Sequence, residues 1–164
     1  MDEAGLLSFL EARGIPYRRS SHPAVFTVAE AARRVPPLPG AKTKNLFLRD
    51  KPGRRHLLLT VPAAKAVDLA ALSRALGLQR LGLASAERLG RLLGIAPGAV
   101  TPLAVVNDPE GRVELFFDEE LWREEALQVH PLVNTATLVL GRESLERFLA
   151  ALGRPLRCIP VPSR

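Results

Sequence analysis

The chain has one cysteine, one tryptophan, one tyrosine and one methionine among 164 residues, and aromatic residues make up only 5%. Cys158 alone excludes an internal disulfide framework. The three histidines, His22, His56 and His130, are too scattered for a CxxC or HxxxH metal pair. Cys158 lies in a short apolar run, Leu156 to Val161, far from any histidine, which predicts a buried structural thiol rather than a nucleophile. No apolar run nears the roughly 18 residues of a membrane-spanning helix. The start, Met1-Asp2-Glu3, is acidic where a secretory leader is basic. The expectation is a cytoplasmic protein that does not enter a membrane. There is also no GxGxxG, GxxxxGK[ST], GxSxG or HExxH, so dinucleotide, P-loop, α/β-hydrolase and zinc-protease chemistries lose their usual support.

What is present suffices for one buried core: hydrophobic residues make up 47% of the chain, with no repeat or biased tract, so a single domain spanning residues 1–164 is expected. The net charge of +6 is unevenly placed. Residues 1–56 hold 11 Lys and Arg against 5 Asp and Glu, whereas residues 57–164 hold 12 of each sign. Localised positive charge suits a polyphosphate partner. An arginine-rich coding bias would produce the same excess.

Along the chain, Asp2 to Arg13 has the spacing of an amphipathic helix stopped by Gly14, and Pro16-Tyr17 begins an extended piece. Thr27 and Glu30 have capping-box spacing for a short helix through Arg34, and the proline-rich stretch Val35 to Gly40 must be irregular. Thr43 to Asp50 and His56 to Val61 predict a hairpin turning at Pro52-Gly53. Asp68 and Ser85 cap helices ending near Gly77 and Gly94, with a short strand at Leu81 to Ala84 between them. Leu103 to Val106 and Val113 to Phe117 read as a second hairpin around Asn107-Asp108-Pro109. Strands at Thr137 to Leu140 and Leu156 to Val161 flank a helix from Glu143 to Leu152. Helices interspersed among hairpins predict an α+β fold around a mixed sheet.

Four stretches combine polar groups with turn-forming residues. Lys44-Asn45 places an ammonium and a carboxamide at the mouth of an apolar strand. The pair could hold a phosphate or an oxyanion, or be a solvated charge and its neighbour. Gly98-Ala99-Val100-Thr101-Pro102 can turn backbone N–H groups toward a small ligand, although glycine and proline punctuate most loops. Val129-His130-Pro131-Leu132-Val133-Asn134-Thr135-Ala136-Thr137 gathers an imidazole, a carboxamide and two hydroxyls in a segment that leads into a strand. Asn107-Asp108-Pro109 reads as a plain turn.

Taken in order, Ser21 to Ala32, Thr43 to Leu48, Gly98 to Pro102, Asn107-Asp108 and His130 to Thr137 resemble the YbaK/prolyl-tRNA editing domain family, most of all its free-standing branch that deacylates alanyl-tRNA(Pro). The resemblance runs from about residue 5 to about residue 160. It implies an α+β fold with a mixed, partly barrel-like sheet flanked by helices, and hydrolysis of the ester that joins a wrong amino acid to the terminal ribose of tRNA. An activated ester needs only a positioned water and oxyanion stabilisation, so neither a metal nor an organic cofactor is expected.

Carried over residue by residue, the resemblance implies that Lys44, Asn45 and Gly98 serve the reaction. Phe26, Thr27, Ala99, Val100, Thr101, Pro102, His130, Asn134 and Thr135 would bind the substrate, with His130 as a wall limiting side-chain size. The implied partner is the acceptor end of mischarged tRNA(Pro), with prolyl-tRNA synthetase the candidate protein partner. The chain departs from the commoner family text at Gln128-Val129, where an Asn-Phe pair is frequent. Open alternatives are a cysteinyl- or seryl-tRNA deacylase of the same family, a non-catalytic tRNA-binding module, and a sensor of small amino-acid derivatives.

Overall fold

Polar caps set the helix starts. The computed structural model describes residues 1–164. In it Asp2, Thr27, Asp68 and Ser85 each accept a hydrogen bond from a first-turn backbone N–H, opening α1 (Glu3–Ala12), α2 (Val28–Arg34), α3 (Leu69–Leu76) and α4 (Ala86–Leu93). A fifth helix, α5 (Arg142–Ala151), follows Gly141 without a side-chain cap. No helix is long and apolar enough to cross a membrane.

The strands are β1 (Arg18–Ser21), β2 (Ala41–Arg49), β3 (His56–Pro62), β4 (Gly82–Leu83), β5 (Val113–Asp118), β6 (Ala126–Val129), β7 (Ala136–Gly141) and β8 (Cys158–Ile159). They form one eight-stranded sheet in the order β1-β7-β6-β2-β3-β5-β8, with β4 on β2. The sheet is mixed, since β2–β3 and β6–β7 are antiparallel while β2–β6, β3–β5 and β5–β8 are parallel. β3 is buried along nearly its whole length, as expected of a strand flanked on both sides and covered on both faces.

Alternation of side chains divides the apolar residues between the two faces. Phe47, Leu58, Phe117, Leu127 and Leu138 join Leu6, Leu10, Leu89, Leu93 and Phe148 from α1, α4 and α5 in a core of 24 residues. Leu48, Leu57, Leu59 and Phe116 point the other way and pack with Leu72 of α3 and Val161 in a core of 9.

Three expectations fail here. Leu103 to Val106 is no strand: Pro102–Asn107 is a 3₁₀ helix whose N-terminal residue Thr101 accepts a hydrogen bond from the Leu103 N–H. A short apolar run fits a buried helical turn as well as a strand, and proline at its first position favours the former. Asp108, which caps the end of that turn, accepts N–H bonds from Arg112 and Val113 and pairs with Arg154, so it belongs to the scaffold. Cys158 is exposed on the edge strand β8 rather than buried, and the last strand is two residues long. Partial desolvation, with Glu146 and Glu119 nearby, holds its thiol above the ordinary value.

Candidate active site

A cavity of about 220 Å³ opens where the sheet comes apart. One edge of β2 pairs with β6 only at Ala41 and Lys42, and with β4 only at Leu48 and Arg49. Along that edge Lys44 to Leu46 therefore has no ladder partner, while the other edge pairs with β3 throughout. The cavity lies against the unpaired stretch. Lys42, Thr43, Lys44 and Asn45 line it from β2, and Gln128, Val129, His130 and Thr137 from β6, β7 and their connector. Gly98 and Val100 come from the loop after α4, and Val25, Phe26, Thr27, Val28, Ala31 and Val35 from α2 and its flanks.

No aspartate, glutamate, serine or cysteine is among the lining residues; the formal charges there are those of Lys42 and Lys44. Lys44 is half-buried and makes neither a salt bridge nor a side-chain hydrogen bond within the chain. Thr60, fully buried on β3 and opposite Asn45, donates its hydroxyl to Asn45 Oδ1 at 2.6 Å. The Asn45 carboxamide is thereby fixed with its N–H donors uncommitted.

Gly98 has φ +91, and a side chain there would place Cβ 2.8 Å from Phe26 Cδ1 and 3.2 Å from Asn134 Nδ2. The position thus needs glycine both for its backbone conformation and for the close approach of Phe26. The N–H groups of Gly98 and Val100 have no acceptor within the chain, which leaves two donors at the cavity wall. His130 donates Nδ1–H to the Ala136 carbonyl at 3.1 Å, so the neutral ring keeps Nε2 as an acceptor without a partner in the chain. Burial pushes its pKa below the ordinary value, the charge of His22 acts in the same direction, and the Ala136 hydrogen bond opposes them. The connector behind it is tight: buried Leu132 takes φ +68, unusual for a non-glycine residue.

Of the residues singled out in the sequence, Phe26, Thr27, Lys44, Asn45, Gly98, Val100 and His130 reach the cavity. Ala99, Thr101 and Pro102 do not line it; all three are buried, and the Thr101 hydroxyl is used in capping. Asn134 and Thr135 act from behind. The Asn134 side chain donates to the Val25 carbonyl at 2.9 Å, the Val25 N–H returns a bond to the Asn134 carbonyl at 3.2 Å, and the His22 N–H donates to the Thr135 carbonyl at 3.0 Å. They tie the wall that carries Phe26 to the β6–β7 connector.

The aminoacyl-tRNA editing domain model matches residues 22–148, which contain every residue of this cavity. The chain belongs to the aminoacyl-tRNA editing domain family. It is 35% identical over 156 residues to a prolyl-tRNA editing protein ProX of Acetoanaerobium sticklandii, covering 95% of each chain. A prolyl-tRNA synthetase associated domain-containing protein 1 of Danio rerio is 40% identical over 146 residues, covering 88% of this chain and 79% of the relative. The fold is also that of a solved structure described as a candidate trans-editing enzyme for prolyl tRNA synthetase. The TM-score is 0.70 at 22% identity, over 100% of this chain and 99% of the other.

In this editing domain the departure at Gln128 has a structural use. Its Nε2 donates to the carbonyls of Leu38 at 3.1 Å and Gly40 at 3.2 Å, pinning the proline-rich segment where it crosses β6. Sequence reasoning missed Lys42 and Thr60, and gave no role to Gln128 or Thr137, which it named only as a departure from the family text and as a hydroxyl near the connector. Two of these were within reach: Lys42 shares the period-2 face of Lys44, and the hairpin turn at Pro52-Gly53 sets Thr60 opposite Asn45. Gln128 and Thr137 lie on strands whose pairing is set by long-range contacts.

Proposed function

We propose that this editing domain is a trans-acting hydrolase that deacylates mischarged alanyl-tRNA(Pro) in the cytoplasm, with one domain, residues 1–164, as the catalytic unit. The observation that carries the reading is a cavity with uncommitted donors and no acid, serine or cysteine: the Gly98 and Val100 N–H groups, the Asn45 carboxamide and the Lys44 ammonium all belong to residues that line it. Such a site suits an ester already activated for attack.

In this reading water adds to the ester carbonyl carbon and the Gly98 and Val100 N–H groups receive the developing oxyanion. The C–O bond to the terminal ribose breaks, releasing alanine and a tRNA whose ribose hydroxyl takes up the proton. The adjacent ribose hydroxyl helps to orient the attacking water. His130 walls the cavity, and its neutral Nε2 offers that water an acceptor. Lys44 holds the phosphate or the ester region, and Asn45, steadied by Thr60, donates to the substrate. In this reading His130 narrows the space around the acyl group, so that the alanyl methyl is admitted and the proline ring is not. A synthetase pocket built for proline gains only about 1–3 kcal/mol against a substrate lacking methylenes, so a second, smaller sieve is useful. The relatives' names support prolyl-tRNA synthetase as the neighbouring partner.

The test is a deacylation panel of alanyl-, cysteinyl-, seryl- and prolyl-tRNA(Pro). Rapid loss of the alanyl ester with the prolyl ester spared is expected. Equal rates with and without the protein, or an unchanged rate in Lys44→Ala, overturn the reading, and preference for the cysteinyl or seryl ester reassigns the substrate.

A further inference from the structure

Away from the cavity, at the far end of β2, cations gather without counter-ions. The guanidinium groups of Arg49 and Arg88 converge on Gly53. A Cβ built there would lie 3.1 Å from Arg49 Nη1 and 2.9 Å from Arg88 Nη2, so glycine makes room for both. Arg88 is held in place, donating Nη1–H to the Gly53 carbonyl at 3.1 Å and to His56 Nε2 at 2.9 Å. His56 in turn stacks on Phe47, with ring centroids 5.8 Å apart. Lys51 and Arg80 line a depression beside Arg49, and Arg91 stands one turn beyond Arg88 on α4. None of Arg49, Lys51, Arg80, Arg88 and Arg91 forms a salt bridge. The one carboxylate in the depression, Asp50, is buried and occupied by the N–H groups of Arg54 and Arg55. Burial, reinforced by the charges of Arg88, Arg91 and Arg49, keeps the His56 pKa below its ordinary value, so this ring accepts from Arg88 instead of competing with it.

Five like charges that share one buried carboxylate and form no salt bridge repel one another, and an anion that fits them relieves that cost. The cluster also lies in line with the cavity. Arg49 and Asn45 share a face of β2, four residues and about 13 Å apart at the rise of an extended strand. α4 carries Arg88 and Arg91 toward the loop that ends at Gly98. An RNA backbone gripped at Arg49 and Arg88 would lie a few nucleotides from the cavity, the reach of a single-stranded end.

We propose that Arg49, Lys51, Arg80, Arg88 and Arg91 form a second, sequence-independent RNA-phosphate site, which holds the helical stem of the tRNA while its aminoacylated 3′ end occupies the cavity. This rests on the tRNA reading above. The two are separated by measuring binding of uncharged tRNA alongside deacylation, using wild type and the triple variant Arg49→Gln, Lys51→Gln, Arg80→Gln, which leaves the Arg88–His56 contact intact.

The expected result is a loss of about tenfold or more in affinity for tRNA, with the slope of log K against log salt shallower by about 2 to 3 for three neutralised phosphate contacts. KM for alanyl-tRNA(Pro) should rise with kcat unchanged, while hydrolysis of 3′-alanyl-adenosine, which has no stem, should stay at the wild-type rate. Unchanged tRNA affinity and salt slope in a variant with wild-type melting overturn the proposal, as does an equal loss on the stemless ester. Loss of tRNA binding confined to single-stranded RNA, with duplex binding retained, also overturns it. If wild type hydrolyses no ester at all, the deacylase reading fails, and the binding arm still decides this one.

Discussion

Two lysines, Lys44 and Lys65, show how differently the same ammonium group is used. Lys65 is 10% exposed, and its Nζ is paired with Asp118 and Glu120 and donates to the Val161 carbonyl at 2.8 Å. Burial opposes its charge, and the two carboxylates overcome that opposition to hold its pKa above the ordinary value. Lys44 is half-buried against a cavity and has no partner in the chain. A charge satisfied inside the fold is part of the scaffold, whereas one that lines a cavity without a counter-ion keeps its interaction free for a ligand.

The sharpest way to break this comparison is to remove each ammonium in turn. Lys44→Ala should cut alanyl-tRNA(Pro) deacylation by roughly 10²-fold or more while leaving thermal melting near wild type, since no intramolecular pair is lost. Lys65→Met should do the converse. It leaves Asp118, fully buried, without its cation, and should cost about 3–5 kcal/mol in denaturant unfolding, with the folded fraction retaining its kcat. A large melting loss in Lys44→Ala with little loss of rate would invert the assignment.

The same logic extends to neighbouring groups with smaller effects. Gly98→Ala forces a side chain into a left-handed backbone and against Phe26, so it displaces the loop donors; kcat should drop by about 10²-fold, read in single-turnover assays. Thr60→Val frees the Asn45 carboxamide, and a kcat reduction of about tenfold with a stability change near 1 kcal/mol is expected. A stability loss with unchanged kcat would make the Thr60–Asn45 bond purely structural. The smallest effect concerns pH. Since burial lowers the His130 pKa in the folded chain, the fold favours the neutral ring. The stability it contributes is complete above the unfolded value of 6.5 and is lost as pH falls through the depressed folded value. Melting temperatures of His130→Gln between pH 7.5 and 5 should therefore decline less than those of wild type.

Local signals carried much of the fold. The caps Asp2, Thr27, Asp68 and Ser85 and the stops at Gly77 and Gly94 place six helix boundaries because the groups that satisfy a helix end lie within a few residues of it. The hairpin of β2 and β3 is equally local. Leu103 to Val106 was misread because an apolar run of that length has no period of its own. β6 was missed because Ala126–Val129 becomes a strand only by pairing with β2 and β7. The charge excess in residues 1–56 was visible from the start, but the basic cluster is not confined to that segment. Arg80, Arg88 and Arg91 come from the stretch whose charges balance, and folding separates them from the acids that balance them.

By itself, then, the sequence determined the helix ends, the central hairpin and the identity of the groups at its mouth, Lys44 and Asn45, together with the Gly98 loop and His130. Only the tertiary structure decided that β2 parts from β6 after Lys42, that Thr60 fixes Asn45, and that Ala99, Thr101 and Pro102 stand behind the cavity rather than in it. The reason is physical. Caps and turns are settled by bonds between near neighbours, whereas a cavity is the space left where distant strands fail to meet.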